Sequence, residues 1–254
     1  MSNEFDKRDG RFLTTCWSQV VMAARNGSQW KTSSGHAALH DLCERYWYPL
    51  YGFARRSGQN AENAQDLVQG FFAHLLEKDR LLQSANPQQG KFRSFLLTAF
   101  QNYIRNQHRR DTAQRRGGGA TILSLQWDDG EQQYEATPVD EMTPQRLFER
   151  SWALSVIDAA LSRVERQHVT AQQQKRFAAL RPLLAPAGDP PSQADVAQQI
   201  GCNVNAVKVA LHRLRAKMAE AIQDEVAETL ASENGPPDKS SIQAEVAHLM
   251  QALA

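Results

Sequence analysis

PSQADVAQQIGCNVNAVKVALHRLRAKM, Pro191–Met218, is the stretch whose reading decides the fold. Ser192 stands where a helix N-cap belongs, ahead of a short run carrying Val196, Ala197 and Ile200. Gly201 supplies the left-handed residue that closes a helix, and Asn203 is placed to cap the next one. The spacing predicts a helix, a three-residue turn and a second helix. On the second helix Val207, Leu211, Leu214 and Met218 recur at intervals of 4, 3 and 4 residues, which makes one buried stripe. Asn205, Lys208, Val209 and His212 are left facing away from it. A helix presented in this way can enter the DNA major groove, its N-terminal part at the base edges and later cations at phosphates. Asn205 and Lys208 are the candidate base contacts with His212 beside them, and Arg213, Arg215 and Lys217 are the phosphate candidates. A plain helical hairpin with a solvated basic face is the alternative.

The rest of the chain reads in the same period, so the expected class is all-α. Thr14 or Thr15 caps a helix running to Arg25, Ser33 or Ser34 caps one running to about Arg56, and others span about Ala61–Glu77 and Lys91–Gln114. Gly117-Gly118-Gly119 ends this first helical domain, 34–116, which residues 1–33 precede as a helix and lead-in. Residues 117–142 form a flexible acidic linker with no sustained period beyond a short strand at 122–125. Thr143-Pro144 opens a second domain, 143–230, with Leu147, Trp152, Leu154, Ile157, Leu161 and Val164 as its first apolar stripe and the helix-turn-helix at 192–218. The extension 231–254 ends in an amphipathic segment with Ile242, Val246, Leu249, Met250 and Leu253 on one face.

Charge is segregated along the chain although the net is only +1 over 254 residues. Seven basic residues face one aspartate between Lys91 and Arg116, and four face Asp195 between Ser192 and Lys217. Gly117–Arg150 carries seven acids against two arginines, and Glu220–Glu245 seven against Lys239. Two basic strips in separate units imply two contacts on a polyanion. The acidic stretches could fold onto them and suppress DNA binding by the free protein, an expectation that bears on linker and tail alike. With 41% apolar and 22% charged residues the chain is neither disordered nor collagenous. No run approaches a membrane span, the charged N-terminus lacks an export signal, and three scattered cysteines suit a reducing cytoplasm.

The helix from Lys91 divides into a buried stripe (Phe92, Phe95, Leu96, Ala99, Tyr103) and a polar, basic one (Ser94, Thr98, Gln101, Asn102, Arg105, Arg109). With the preceding loop, whose Asn86-Pro87 and Gly90 are turn punctuation, it offers a place for a flipped base beside a phosphate-gripping helix.

Taken in order, these segments resemble the bacterial sigma-70 family, in particular its extracytoplasmic-function (ECF) type. DLVQGFFAHLL (Asp66–Leu76) is similar to the region 2.2 helix, and the resemblance implies that Asp66, Gln69 and Phe72 meet the β′ clamp of core RNA polymerase. GKFRSFLLTAFQNYIRNQHRR (Gly90–Arg110) is similar to regions 2.3 to 2.4, which implies minus-10 promoter contacts by Asn86, Lys91, Arg93, Asn102, Arg105 and Arg109. Residues 143–225 are similar to region 4, implying minus-35 contacts by Asn205, Lys208, His212, Arg213 and Arg215 and a second polymerase contact at the β flap. FRSFLLTAFQNYI, the triple glycine, LSL at Leu123–Leu125 and TPQRLFERSWAL at Thr143–Leu154 resemble the ECF group associated with Ser/Thr protein kinases, which adds a kinase to the implied partners. One departure matters: where relatives read Asp-Ala-Glu-Asp-Leu-x-Gln-Glu, this chain reads Asn63-Ala64-Gln65-Asp66-Leu67-Val68-Gln69-Gly70. Three of four carboxylates are missing, and no Ser, Thr or Tyr lies between Gly58 and Gln83 to be phosphorylated in their place. Ser57 is the nearest candidate, followed by Tyr51. A stand-alone helix-turn-helix regulator is the alternative function.

Other motifs carry less. His36, His40 and Cys43 share helical spacing but lack a fourth zinc ligand, and Tyr46, Trp47, Tyr48, Tyr51 and Phe53 read as core rather than as base-stacking residues. No Walker loop, dinucleotide fingerprint or HExxH motif is present, so no cofactor, no metal and no catalysis are expected.

Overall fold

The computed structural model describes residues 33–77, 91–113, 130–135, 142–184, 190–230 and 236–254. Among them every regular element is helical: α1 (Ser33–Arg56), α2 (Ala61–Glu77), α3 (Phe92–Ala113), α4 (Gly130–Glu135), α5 (Pro144–Arg166), α6 (Ala171–Leu180), a 3₁₀ turn (Arg181–Leu183), α7 (Gln193–Ile200), α8 (Val204–Leu230) and α9 (Lys239–Leu253). The all-α class is therefore observed. The helix expected between Thr14 and Arg25, the Asn86 loop, the triple glycine and the strand at 122–125 lie outside the described residues. The chain divides into two compact units, 1–151 with 228–237 and 152–227 with 238–254.

In the first unit α1, α2 and α3 enclose an aromatic core. Phe71 of α2 lies 5.1 Å from the Phe100 ring of α3 and 5.7 Å from that of Tyr103. Phe53 and Tyr46 of α1 meet Phe100 and Phe92 edge-on at 6.2 and 5.5 Å, as the ring quadrupole favours. Tyr46, Trp47, Tyr51 and Phe53 are buried, so the aromatic run is core. Gly70 permits the close approach of α2 to α3, since a Cβ there would stand 2.5 Å from the Tyr103 hydroxyl. The stripe read on α3 omitted Phe100, which is fully buried, while Phe95 and Tyr103 are only half-buried.

The second unit buries Val164, Phe177, Leu180, Val196, Val207, Leu211, Leu214 and Met218 around one centre. The first apolar stripe of α5 needs correcting. Leu154 is 40% exposed, because two residues from buried Trp152 is more than half a turn of helix. Phe148, Val156 and Ala160 are buried instead. On α9 the inward side chains are Glu245 and Leu249, and Met250 is 58% exposed. Arg163 of α5 ties α8 through Glu225 at 3.0 Å and Asp224 at 3.5 Å.

Local capping sets the turn between α7 and α8. The Ser192 hydroxyl accepts from the Asp195 amide at 3.2 Å, and the Asp195 carboxylate accepts in return from the Ser192 amide at 3.0 Å. This reciprocal pair is a capping box, and its hydrogen bonds hold the Asp195 carboxyl below its ordinary value. Gly201 ends α7 at φ +69°, and Asn203 Oδ1 accepts from the Ala206 amide at 2.8 Å to start α8. Gly201→Ala would hold a Cβ in the left-handed region. It is expected to destabilise the second unit by about 1–2 kcal/mol in urea unfolding, whereas Ala210→Gly, which stays helical, should cost about 1 kcal/mol through propensity alone.

Candidate nucleic-acid interface

Two exposed helical faces carry the candidate residues. On α3, Ser94, Thr98, Asn102, Arg105 and Arg109 are exposed along one side. The Arg105 guanidinium donates to Asn102 Oδ1 at 2.5 Å, and Thr98 Oγ1 donates to the Ser94 carbonyl at 2.8 Å. Beside this face α2 and α3 form a cleft of about 210 Å³, lined by His74, Phe95, Thr98, Asn102, Tyr103 and Asn106. Its lining combines the Phe95, His74 and Tyr103 rings, the last two 5.4 Å apart, with amide and hydroxyl side chains. Such a lining can stack one planar ring and hydrogen-bond its edge.

Two expected residues do not share this face. Arg93 is 4% exposed and its Nε donates to Glu149 of α5 at 2.7 Å. It flanks the buried stripe, and its carboxylate partner comes from 56 residues further on. Lys91 is half-buried, and burial, reinforced by the Arg93 charge, lowers its ammonium pKa. Of the three residues assigned to the polymerase contact, Asp66 is exposed, Gln69 is 9% exposed, and Phe72 is 1% exposed and packs 5.9 Å from Phe71. Glu62, exposed one turn before Asp66, joins it on the surface of α2 and was not singled out by sequence.

On α8, Asn205, Lys208, Val209, His212, Arg213, Arg215 and Lys217 are all exposed, opposite the buried Val207–Leu211–Leu214–Met218 stripe. Arg215 also donates to the Leu183 carbonyl at 3.1 Å, so part of its fork is occupied at the 3₁₀ turn.

The acidic stretch read as linker contributes α4, a helix of six residues, too short for any period to show in sequence. It docks on α1. Glu131 accepts from Arg55 Nε at 2.9 Å and Nη2 at 2.5 Å and from the Tyr51 hydroxyl, and Arg55 lies 4.8 Å from the centre of the Tyr134 ring. Gly130 sits against the stacked Trp47 and Tyr51 rings, where a Cβ would fall 2.5 Å from Trp47. The acid of α4 thus engages α1 rather than the exposed side of α3. Burial opposes the Glu131 charge, but the Arg55 and Tyr51 hydrogen bonds outweigh it and hold the carboxyl below its ordinary 4.5. A depressed carboxyl contributes stability above its unfolded value and loses it as pH falls through the folded one. Docking of α4 should therefore persist at neutral pH and fail in acid below 4.5. Hydrogen-exchange protection of residues 130–135 should fall in that range, and Glu131→Gln should show the same loss at pH 7; unchanged protection in the variant would count against the clasp.

Among the described residues no three or more His, Cys, Asp or Glu side chains gather as a metal group, and no helix is long and apolar enough to cross a membrane. Burial, then Glu44, push the Cys43 thiol up to about 12, and the side chain of His36 lies outside the described residues.

Comparison with known families matches residues 42–114, which span α1 to α3, to sigma-70 region 2. No curated protein and no solved structure matches the chain. The matched segment is the one that carries the aromatic three-helix core, the cleft and the exposed basic face. The match covers 73 of the 254 residues, so it makes this segment, and not the whole chain, similar to sigma-70 region 2.

Proposed function

We propose that the chain is an ECF-type sigma factor with two promoter-reading modules. The observation that carries this reading is the coincidence of the sigma-70 region 2 match with the cleft and exposed cations of α3. In this reading α2 docks on the β′ clamp through Asp66, and the β flap receives the second unit. α3 holds melted minus-10 DNA with Asn102, Arg105 and Arg109 at the strand and one unstacked base in the cleft. Asn86 and Lys91, which precede α3 in sequence, contact the same strand. Arg93 acts through position, fixing α3 to the start of α5 by its ion pair with Glu149. The helix-turn-helix reads the minus-35 element with Asn205, Lys208 and His212, while Arg213, Arg215 and Lys217 hold phosphates. The protein works in the cytoplasm as a dissociable, non-catalytic subunit that needs no cofactor.

Run-off transcription with core polymerase on genomic fragments tests the reading. The wild-type chain should give discrete start sites, and Asp66→Arg should abolish them by placing a cation where the docking carboxylate stood. Sequence-specific duplex binding by the wild-type chain without any discrete start site in this assay would favour a stand-alone helix-turn-helix regulator, whose DNA binding needs no polymerase. Phosphorylation by a Ser/Thr kinase is proposed to supply charge missing from Asn63–Gly70. Ser57 is exposed at the end of α1, its hydroxyl donating to the Phe53 carbonyl at 2.7 Å, whereas Tyr51 is buried against Glu131. Ser57→Asp should raise pull-down of core polymerase, and no gain would remove Ser57 from the mechanism.

A further inference from the structure

The exposed side of α8 has an unusual cross-section. At 3.6 residues per turn, Val209 lies almost diametrically opposite the Val207–Leu211–Leu214–Met218 stripe, on the midline of the free face. It is 52% exposed, and Ala216, two turns on, continues the same line and is exposed too. Lys208 and His212 border this line on one side and Arg213 on the other, while Asn205 begins it. An apolar side chain gains nothing from water at that place, and Ala or a polar residue would form helix at least as well. The pattern of an apolar ridge between cationic margins is complementary to the major groove, where phosphates form the walls and the only apolar group on the floor is the thymine C5-methyl.

Resting on the reading of α8 as a groove-entering helix, we propose that Val209 is a specificity-determining residue that packs on the methyl group of one thymine and so selects an A·T pair. The pair lies beside the base read by Asn205, because one helical turn separates the two side chains. Lys208 and Arg213 set the depth of insertion from opposite walls. Val209 then supplies contact that a hydrogen-bonding side chain cannot, discriminating thymine from cytosine without any polar partner.

The test uses the full-length chain with core polymerase, first to select from duplexes carrying ten randomised base pairs and then to bind the selected duplex with deoxyuridine replacing each thymidine in turn. Uracil keeps every hydrogen-bonding group of thymine and lacks only the methyl. One replacement should weaken wild-type binding about fourfold, the transfer value of a single buried carbon. Val209→Ala should weaken binding to the unmodified duplex by a similar factor, and deoxyuridine at that one position should then have no additional effect. Val209→Ile should keep the sensitivity. Independent, additive losses, or no sensitive position at all, would overturn the proposal while leaving the groove reading intact. Should Asn205→Ala and Lys208→Ala both leave the selected sequence unchanged, α8 does not enter the groove and the proposal falls with that reading.

Discussion

Phe71→Ala is expected to lower the stability of the first unit by about 3–5 kcal/mol. Phe71 is fully buried and touches the rings of Phe72, Phe100 and Tyr103, at 5.9, 5.1 and 5.7 Å. Its removal leaves a cavity that the neighbouring aromatics, themselves locked edge-on or tilted, can collapse into only partly. Urea unfolding followed by circular dichroism reads the loss directly. Phe71→Leu, which keeps most of the volume, should lose about half as much, and Leu154→Ala, at an exposed site, less than about 0.5 kcal/mol. The functional consequence is geometric. Phe71 holds α2, with its surface carboxylates Glu62 and Asp66, in register with α3 and its cations, so a core deletion should also reduce run-off transcription. A variant with full stability loss and unaltered transcription would detach the core from that positioning role.

Glu149→Ala should cost about 2–4 kcal/mol, somewhat less than the full effect of breaking a buried pair because the carboxylate is partly solvated. The side chains of Arg93 and Glu149 are 4% and 25% exposed and meet at 2.7 Å. Truncating the acid strips a desolvated guanidinium of its carboxylate, and the penalty arises from that buried charge more than from the pair's own attraction. The double variant Arg93→Met, Glu149→Leu removes both charges and fills similar volume, so it should recover most of the loss. If the double variant is no better than Glu149→Ala, packing rather than electrostatics fixes this contact. Glu149→Gln, which keeps hydrogen-bonding capacity without charge, should fall between the two.

The parts of this architecture written in local chemistry were legible before any coordinates. α1 ends at Arg56, ahead of Ser57 and the left-handed Gly58, and the turn between α7 and α8 follows from Ser192, Gly201 and Asn203, each of which satisfies or releases a helix end within a few residues of itself. The exposed face of α8 follows from the same logic, since its buried stripe is strictly periodic. What failed to show depends on distant sequence. Periodicity gives the direction of a helix's apolar face but not its width, so Phe100, Phe148, Gln69 and Phe72 were left at its margins or misplaced on the surface. Arg93 reads as a solvated cation until Glu149 is brought to it by α5. α4 carries too few residues for a period, and its place depends on Arg55, 76 residues earlier.

One consequence follows from the length of α8, a single rod from Val204 to Leu230. Its exposed cations run from Lys208 to Lys217, and Asp224, paired with Arg163, lies about 10 Å beyond the last of them at 1.5 Å per residue. Ions at physiological strength extinguish a field within roughly 8 Å, so Lys208 is shielded from that acid while Lys217 stays within about one such length of it. The near-zero charge of the whole polypeptide therefore says little about the field at the leading end of this rod.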